Sequence, residues 1–284
     1  MSLREFAAHL GVSERMICKW EAAGAEIHPR PVNQAALDTA LSRSDADTRA
    51  RFLHFAGDAV LPSLDDAPAQ LIGDSQIRHA FDGSPMVLVE GSVFLAGPSN
   101  DPVWLPSFYI DVYPVTNADY ARFVTATGHQ PPPHWAKDGL PARLANHPVV
   151  FVTWNDATAY AVWVGKALPG SQQWEKAARG GRGNVYPWGD QPTPAKCNVR
   201  ENGVGGTAPV TCYQSGVSPY GAFDMCGNVW EWCSADTRPG RHALKGGAWT
   251  SPFNRAAPSS FNDAAASMCD DDTGFRCATG DPPE

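Results

Sequence analysis

The sequence predicts an α+β fold rich in irregular structure, preceded by a small all-α unit. Three observations lead there. The chain holds 26 glycines and 25 prolines in 284 residues, the mark of many turns and short elements. All but one of its 10 tryptophans fall from Trp104 onward, as expected of a loop-rich core built from aromatic plates. Helical spacing marks the first residues, whereas strand-like runs begin only near Met86.

Leu3, Phe6, Ala7 and Leu10 follow the i, i+3, i+4, i+7 pattern of a first helix. Gly11 breaks it. Ser13 can cap a second helix carrying Met16, Ile17 and Trp20, and Gly24 ends it. Residues 34–56 offer further helical support, so residues 1–56 form one small unit. Helix, tight turn, helix in this order resembles the helix-turn-helix of Cro/repressor-type regulators. That resemblance implies DNA contact through Ser13, Arg15 and Lys19 at the start of a recognition helix. Glu14 and Glu21 share the segment, and a small helical interaction unit is the alternative.

Residues 57–84 lack periodicity and carry Gly57, Pro62, Pro68 and Asp65-Asp66, which reads as a linker. The second domain, residues 85–284, opens with a strand over Met86–Gly97. A short strand and a helix follow over Phe108–Gly128, with Thr116 and Asp119 at capping-box spacing. Thr153 and Asp156 open another helix through Ala159, Tyr160 and Trp163. A third spans Ser171–Gly181 and is stopped by two glycines. Beyond Tyr186 the chain reads as turns and short strands.

Charged residues make up 18% of the chain and the net charge is −8, so no global basic field draws it to nucleic acid or anionic lipid. No run of about 18 apolar residues is present, so no membrane span is expected. The first residues lack the apolar core of a secretory leader. Seven cysteines, an odd number, favour reduced thiols. Together these suggest a cytoplasmic protein.

From about residue 86 to 278, eight pieces occur in order: YPVTNADYARFV, PVVFVTWNDATAYAVWVGKALP, WEKAARGG, YPWGD, GTAPV, PYGAFDMCGNVWEW, KGGAW and GFRC. This order resembles the formylglycine-generating, sulfatase-modifying-factor family. The resemblance implies a compact α+β domain related to C-type lectins. That fold serves oxidases, iron-dependent sulfoxide synthases and non-catalytic ligand-display proteins alike.

The oxidases of this family bind Cu(I) between two thiolates that follow a GGSW or GGSY motif, soft ligands for a soft ion. Here Trp249 is followed by no cysteine until Cys269, and Ala248 stands where the serine would be. Copper is therefore not expected. Cys226 with Cys233, seven apart, and Cys269 with Cys277, eight apart, are the other close pairs. Cys226 and Cys277 fall inside framework motifs and read as buried, inert thiols. The family partner of Cys277 corresponds to Ala161, which removes that disulfide. Asp270, Asp271 and Asp272 would raise the Cys269 pKa. His9, His28 and His54 offer no paired spacing for iron, and His134 and His147 read as ordinary surface histidines.

The resemblance also implies two structural calcium sites built from oxygen ligands. One would comprise Asp224, Gly227, Val229 and Glu231. The other would comprise Asn198, Val199, Asn202 and Val204, with Asn202 in place of the usual aspartate. The acidic run at 270–272 reads as a solvated loop.

Between Trp249 and Thr273, small polar residues alternate with Phe253, Phe261 and Met268. In relatives this region floors a peptide groove or carries variable ligand contacts. Trp249, Ser251, Phe253, Asn254, Arg255, Phe261 and Asn262 are accordingly the candidate ligand-binding residues. The expected function is non-catalytic binding or regulation: recognition of a peptide, protein or small molecule, coupled to DNA by the N-terminal unit. The alternatives are an oxidoreductase with altered metal ligands and a variable ligand-display protein.

Overall fold

The computed structural model describes Ala7 and residues 14–23, 76–135 and 139–280. Helix α1, Glu14–Ala23, lies where the sequence places the second N-terminal helix. Ser13, the Lys19 side chain, residues 24–56 and most of the first helix lie outside the described residues, as do residues 57–75.

Among the described residues, the strands form two four-stranded sheets and a hairpin. The first sheet runs β1 (Gln76–Arg78), β2 (Pro85–Val89), β5 (Phe108–Asp111), β10 (Ala278–Thr279), each pair antiparallel. The hairpin joins β3 (Ser92–Ala96) to β4 (Asp101–Leu105). The second sheet runs β8 (Phe261–Ala265), β7 (Arg241–Lys245), β6 (Trp230–Arg238), β9 (Thr273–Gly274), with β9 parallel to β6.

Two boundaries differ from the sequence reading. The folded domain begins before Pro85, because β1 pairs with β2 across Gln76↔Val87 and Arg78↔Pro85. A three-residue edge strand is too short to show alternation. The single strand expected over Met86–Gly97 is two strands in different sheets. Gly91 marks the break: a Cβ there would lie 3.0 Å from the Ser107 amide nitrogen.

The helices start where their caps predict. For α2 (Asn117–Thr127), the Thr116 hydroxyl accepts from the Asp119 amide while Asp119 accepts from the Thr116 amide. Thr153 and Asp156 repeat the arrangement for α3 (Trp154–Trp163). Helix α4, Ser171–Arg179, ends at Gly180.

Two apolar clusters hold these layers. One joins α2 and α3 to β6, β7 and β8. In it Tyr120 stacks on Tyr160 at 5.8 Å, and the Trp232 indole donates to the Val152 carbonyl at 3.1 Å. The other packs Trp174 of α4 over Val87, Ile110 and Ala243. Several buried charges are paired, as their desolvation demands. Lys166 Nζ lies 2.8 Å from Asp111 and 3.1 Å from Asp82, and Lys245 lies 2.9 Å from Glu175. Arg276 holds Glu231 at 2.7 Å with both side chains fully enclosed.

Candidate functional site

The Lys245–Cys277 segment hangs from β7 and returns through β9, so both of its ends are fixed by sheet pairing. Its first turn locks onto the Gly227-Asn228 turn. The Gly227 amide donates to the Gly246 carbonyl at 2.8 Å, and the Trp249 amide donates to the Asn228 carbonyl at 3.1 Å. Gly247 has φ +72°, and a Cβ there would meet the Ala256 Cα at 2.7 Å. Only glycine suits that backbone and that proximity.

Ser251 turns inward. Its Oγ accepts from the Ala248 amide at 3.0 Å, its own amide donates to the Ala248 carbonyl at 2.9 Å, and the side chain is buried. Phe253 is held by the Glu201 carboxylate, which accepts its amide at 3.0 Å. The Phe253 ring stacks on Tyr186 at 4.8 Å, and Tyr186 stacks on Trp188 at 5.3 Å. Of the seven residues expected to bind ligand, these two serve the segment's own structure. Asn254, Arg255, Phe261 and Asn262 are exposed, the last two on edge strand β8.

Trp249 faces a different feature. It lines a cleft of about 190 Å³ together with Asn117, His134, Phe151, Thr207 and Asp271. The Trp249 indole donates to the Asp271 carbonyl at 3.4 Å. His134 tilts against Phe151 at 5.1 Å and its enclosed Nδ1 has no hydrogen-bond partner. Burial pushes the His134 pKa down, so the ring is neutral near pH 7. His147 donates or accepts at Thr207 Oγ1, 2.9 Å away, on the neighbouring loop. Neither is the ordinary surface histidine that the sequence suggests, because the proline-bracketed loop folds inward over Phe151.

Burial, then repulsion from Asp270 and Asp272, pushes the Asp271 carboxyl above its usual range. The three carboxylates approach within 4.8 Å of one another, and Thr250 donates to Asp272. Phe151 sits at φ +58°, a left-handed backbone that a bulky residue rarely adopts, and its amide donates to the Asp270 carbonyl at 2.9 Å. The cleft thus has aromatic walls, a neutral imidazole whose Nδ1 is enclosed and unpaired, and an acidic rim. Such a surface accepts hydrogen bonds and suits a partly cationic ligand.

Residues 73–280 match the family described as the sulfatase-modifying factor enzyme 1-like domain. The chain belongs to the sulfatase-modifying factor family. A mouse relative, "Inactive C-alpha-formylglycine-generating enzyme 2", is 31% identical over 74% of this chain and 90% of its own. "Formylglycine-generating enzyme" of Thermomonospora curvata is 34% identical over 52% of this chain and 70% of its own. The solved structure of PvdO from Pseudomonas aeruginosa shares the fold, with a TM-score of 0.60 at 23% identity over 72% of this chain and 97% of that one.

Within this sulfatase-modifying-factor domain three of the thiols, Cys233, Cys269 and Cys277, are not arranged for activation. Burial pushes Cys233 up to about 12 and Cys277 well above its ordinary range, each in a closed core. Cys277 packs in the same apolar cluster as Ala161, a side chain without sulfur. Cys269 is exposed, and burial followed by Asp156 and Asp270 raises it as well.

The two oxygen sets suggested for calcium differ in fit. Both Glu231 oxygens accept from Arg276, and Oε2 also accepts from the Trp174 indole at 2.7 Å. That carboxylate is already neutralised, so the set of Asp224, Gly227, Val229 and Glu231 does not fit a cation as a whole. Asp224 keeps one enclosed oxygen without a partner. In the other set, Asn198 Oδ1 is likewise enclosed and unpaired, while its Nδ2 donates to the Gly206 carbonyl at 2.9 Å. An orphaned carbonyl-type oxygen beside the Val199–Val204 turn suits a hard cation.

Proposed function

We propose that this chain is a non-catalytic recognition protein. Its sulfatase-modifying-factor scaffold would hold a peptide, protein segment or small molecule bearing a cationic group in the Trp249 cleft. The supporting observation is the pairing of that cleft with a segment whose inward positions are filled by Ser251 and Ala256. The mouse relative's name, an inactive formylglycine-generating enzyme, agrees with this reading. The test is calorimetric titration with a library of short basic and neutral peptides. Binding weakened by salt and cut at least about tenfold by Trp249→Ala, the scale of a buried aromatic anchor, supports the reading. No peptide bound, or stoichiometric copper with aldehyde formation on a CxPxR-type peptide, overturns it in favour of the oxidoreductase alternative. The Thermomonospora curvata relative motivates that alternative.

Two narrower proposals accompany it. A structural calcium ion would sit at Asn198, Val199, Asn202 and Val204, supported by the unpaired Asn198 oxygen. The N-terminal unit would contact DNA through Ser13, Arg15 and Lys19, supported by the exposure of Arg15 on α1. A salt-sensitive gel shift lost on Arg15→Ala tests the latter, and no shift at low salt rejects it.

A further inference from the structure

Two cysteines share one apolar cluster beneath the Lys245–Cys277 segment. Asn198 and Gly227 form a parallel bridge, with the Asn228 amide donating to the Asn198 carbonyl at 2.8 Å. Cys197 and Cys226 immediately precede these two residues, so they are neighbours across the two backbones. The approach is unusually close: a Cβ on Gly227, at φ +83°, would collide with the Asn198 carbonyl. Cross-strand neighbours have Cα atoms about 5 Å apart, within the range a disulfide spans. Cys197 has extended backbone, φ −153° and ψ 164°. Both side chains enter one apolar cluster with Tyr186, Val199 and Ala256, and Phe253 packs against that cluster from the segment side. Cys197 Sγ also contacts the Pro194 carbonyl at 3.7 Å. Neither cysteine is in a disulfide in this structure.

We propose that Cys197 and Cys226 are an oxidisable pair that closes into a disulfide and fixes the floor under Phe253. With hydrogen peroxide as oxidant the step balances. One thiol takes an oxygen atom as the peroxide O–O bond breaks, giving a sulfenic acid and water. The second sulfur then attacks that sulfur and releases a second water. Two electrons pass from the two sulfurs to the peroxide. The bond would join the Pro194–Asn202 turn to the Asp224–Asn228 turn and, through Ala256, hold the chain that presents Trp249. This holds whether or not the cleft binds anything.

The experiment uses the whole chain, with hydrogen peroxide as probe and dithiothreitol for reversal. Non-reducing peptide mapping should show the Cys197 and Cys226 peptides joined. The oxidised protein should melt about 5–10 °C higher, as closing a loop of about 30 residues predicts, and revert on reduction. Amide exchange over residues 247–257 should slow in parallel. Cys226→Ala should abolish all three changes. If that variant fails to fold, mapping and melting of the unaltered chain decide alone. Cys197 and Cys226 both remaining alkylatable after denaturation, or linkage to Cys212 or Cys233 instead, overturns the proposal.

Discussion

Asp224 is enclosed, with Oδ2 accepting from Asn228 Nδ2 at 2.8 Å and Oδ1 unpaired. Burial drives its pKa up to about 7, against the opposing pull of Asn228 and Arg276. The folded chain therefore holds this proton where the unfolded chain has released it. Stability is greatest below the unfolded value near 4, falls as pH rises towards 7, and is level above it. Asp224→Asn keeps the shape and removes the proton. We expect urea unfolding between about pH 5 and pH 8 to lose about 2 kcal/mol of its pH dependence in that variant. Arg276 presents the complementary case. Arg276→Ala leaves Glu231 enclosed without a counter-charge, and the expected loss is about 3–5 kcal/mol by the same measurement. GFRC marked Arg276 as framework in the sequence, but its partner is 45 residues earlier and no local pattern names it.

At the level of elements, local chemistry was readable and tertiary pairing was not. Thr116 with Asp119 and Thr153 with Asp156 announce helix starts because a cap is satisfied within four residues. Thr153→Ala should cost about 1 kcal/mol in thermal or chemical unfolding, with α3 otherwise intact. Strand β1 was missed because its three residues gain order only from β2. The split at Gly91 was missed because the reason for it, the Ser107 backbone, is brought close only by the fold. Strand β6 is nine residues long, yet its first half is buried throughout and shows no alternation. A stretch buried on both faces, with the charged Glu231 between two tryptophans, does not declare its own period.

Over the whole domain, the cleft gathers Asn117, His134, Phe151, Thr207, Trp249 and Asp271 from six separate stretches of chain. Trp249 was legible because it sits in a motif. The others were not, because irregular loops place them and no periodicity reports on such loops. Calcium offers a global test of the Asn198 set. Adding the ion should raise the melting temperature by about 3–6 °C if its concentration is a hundredfold above Kd. Asn198→Ala should erase the shift, and the absence of a shift in the unaltered chain would reject the assignment.

The last strands have a consequence for how the molecule is made. Strand β9 completes the sheet that carries the Lys245–Cys277 segment, and β10 completes the sheet opened by β1. Between them, Arg276 supplies the guanidinium that Glu231 needs and Phe275 fills the α2–α3 core. During synthesis neither layer can close until residues 273–279 have emerged, so a long nascent chain waits with two unfinished sheet edges. A stop codon ahead of Thr273 would leave a product dependent on chaperones and open to proteases rather than a shortened version of the same protein.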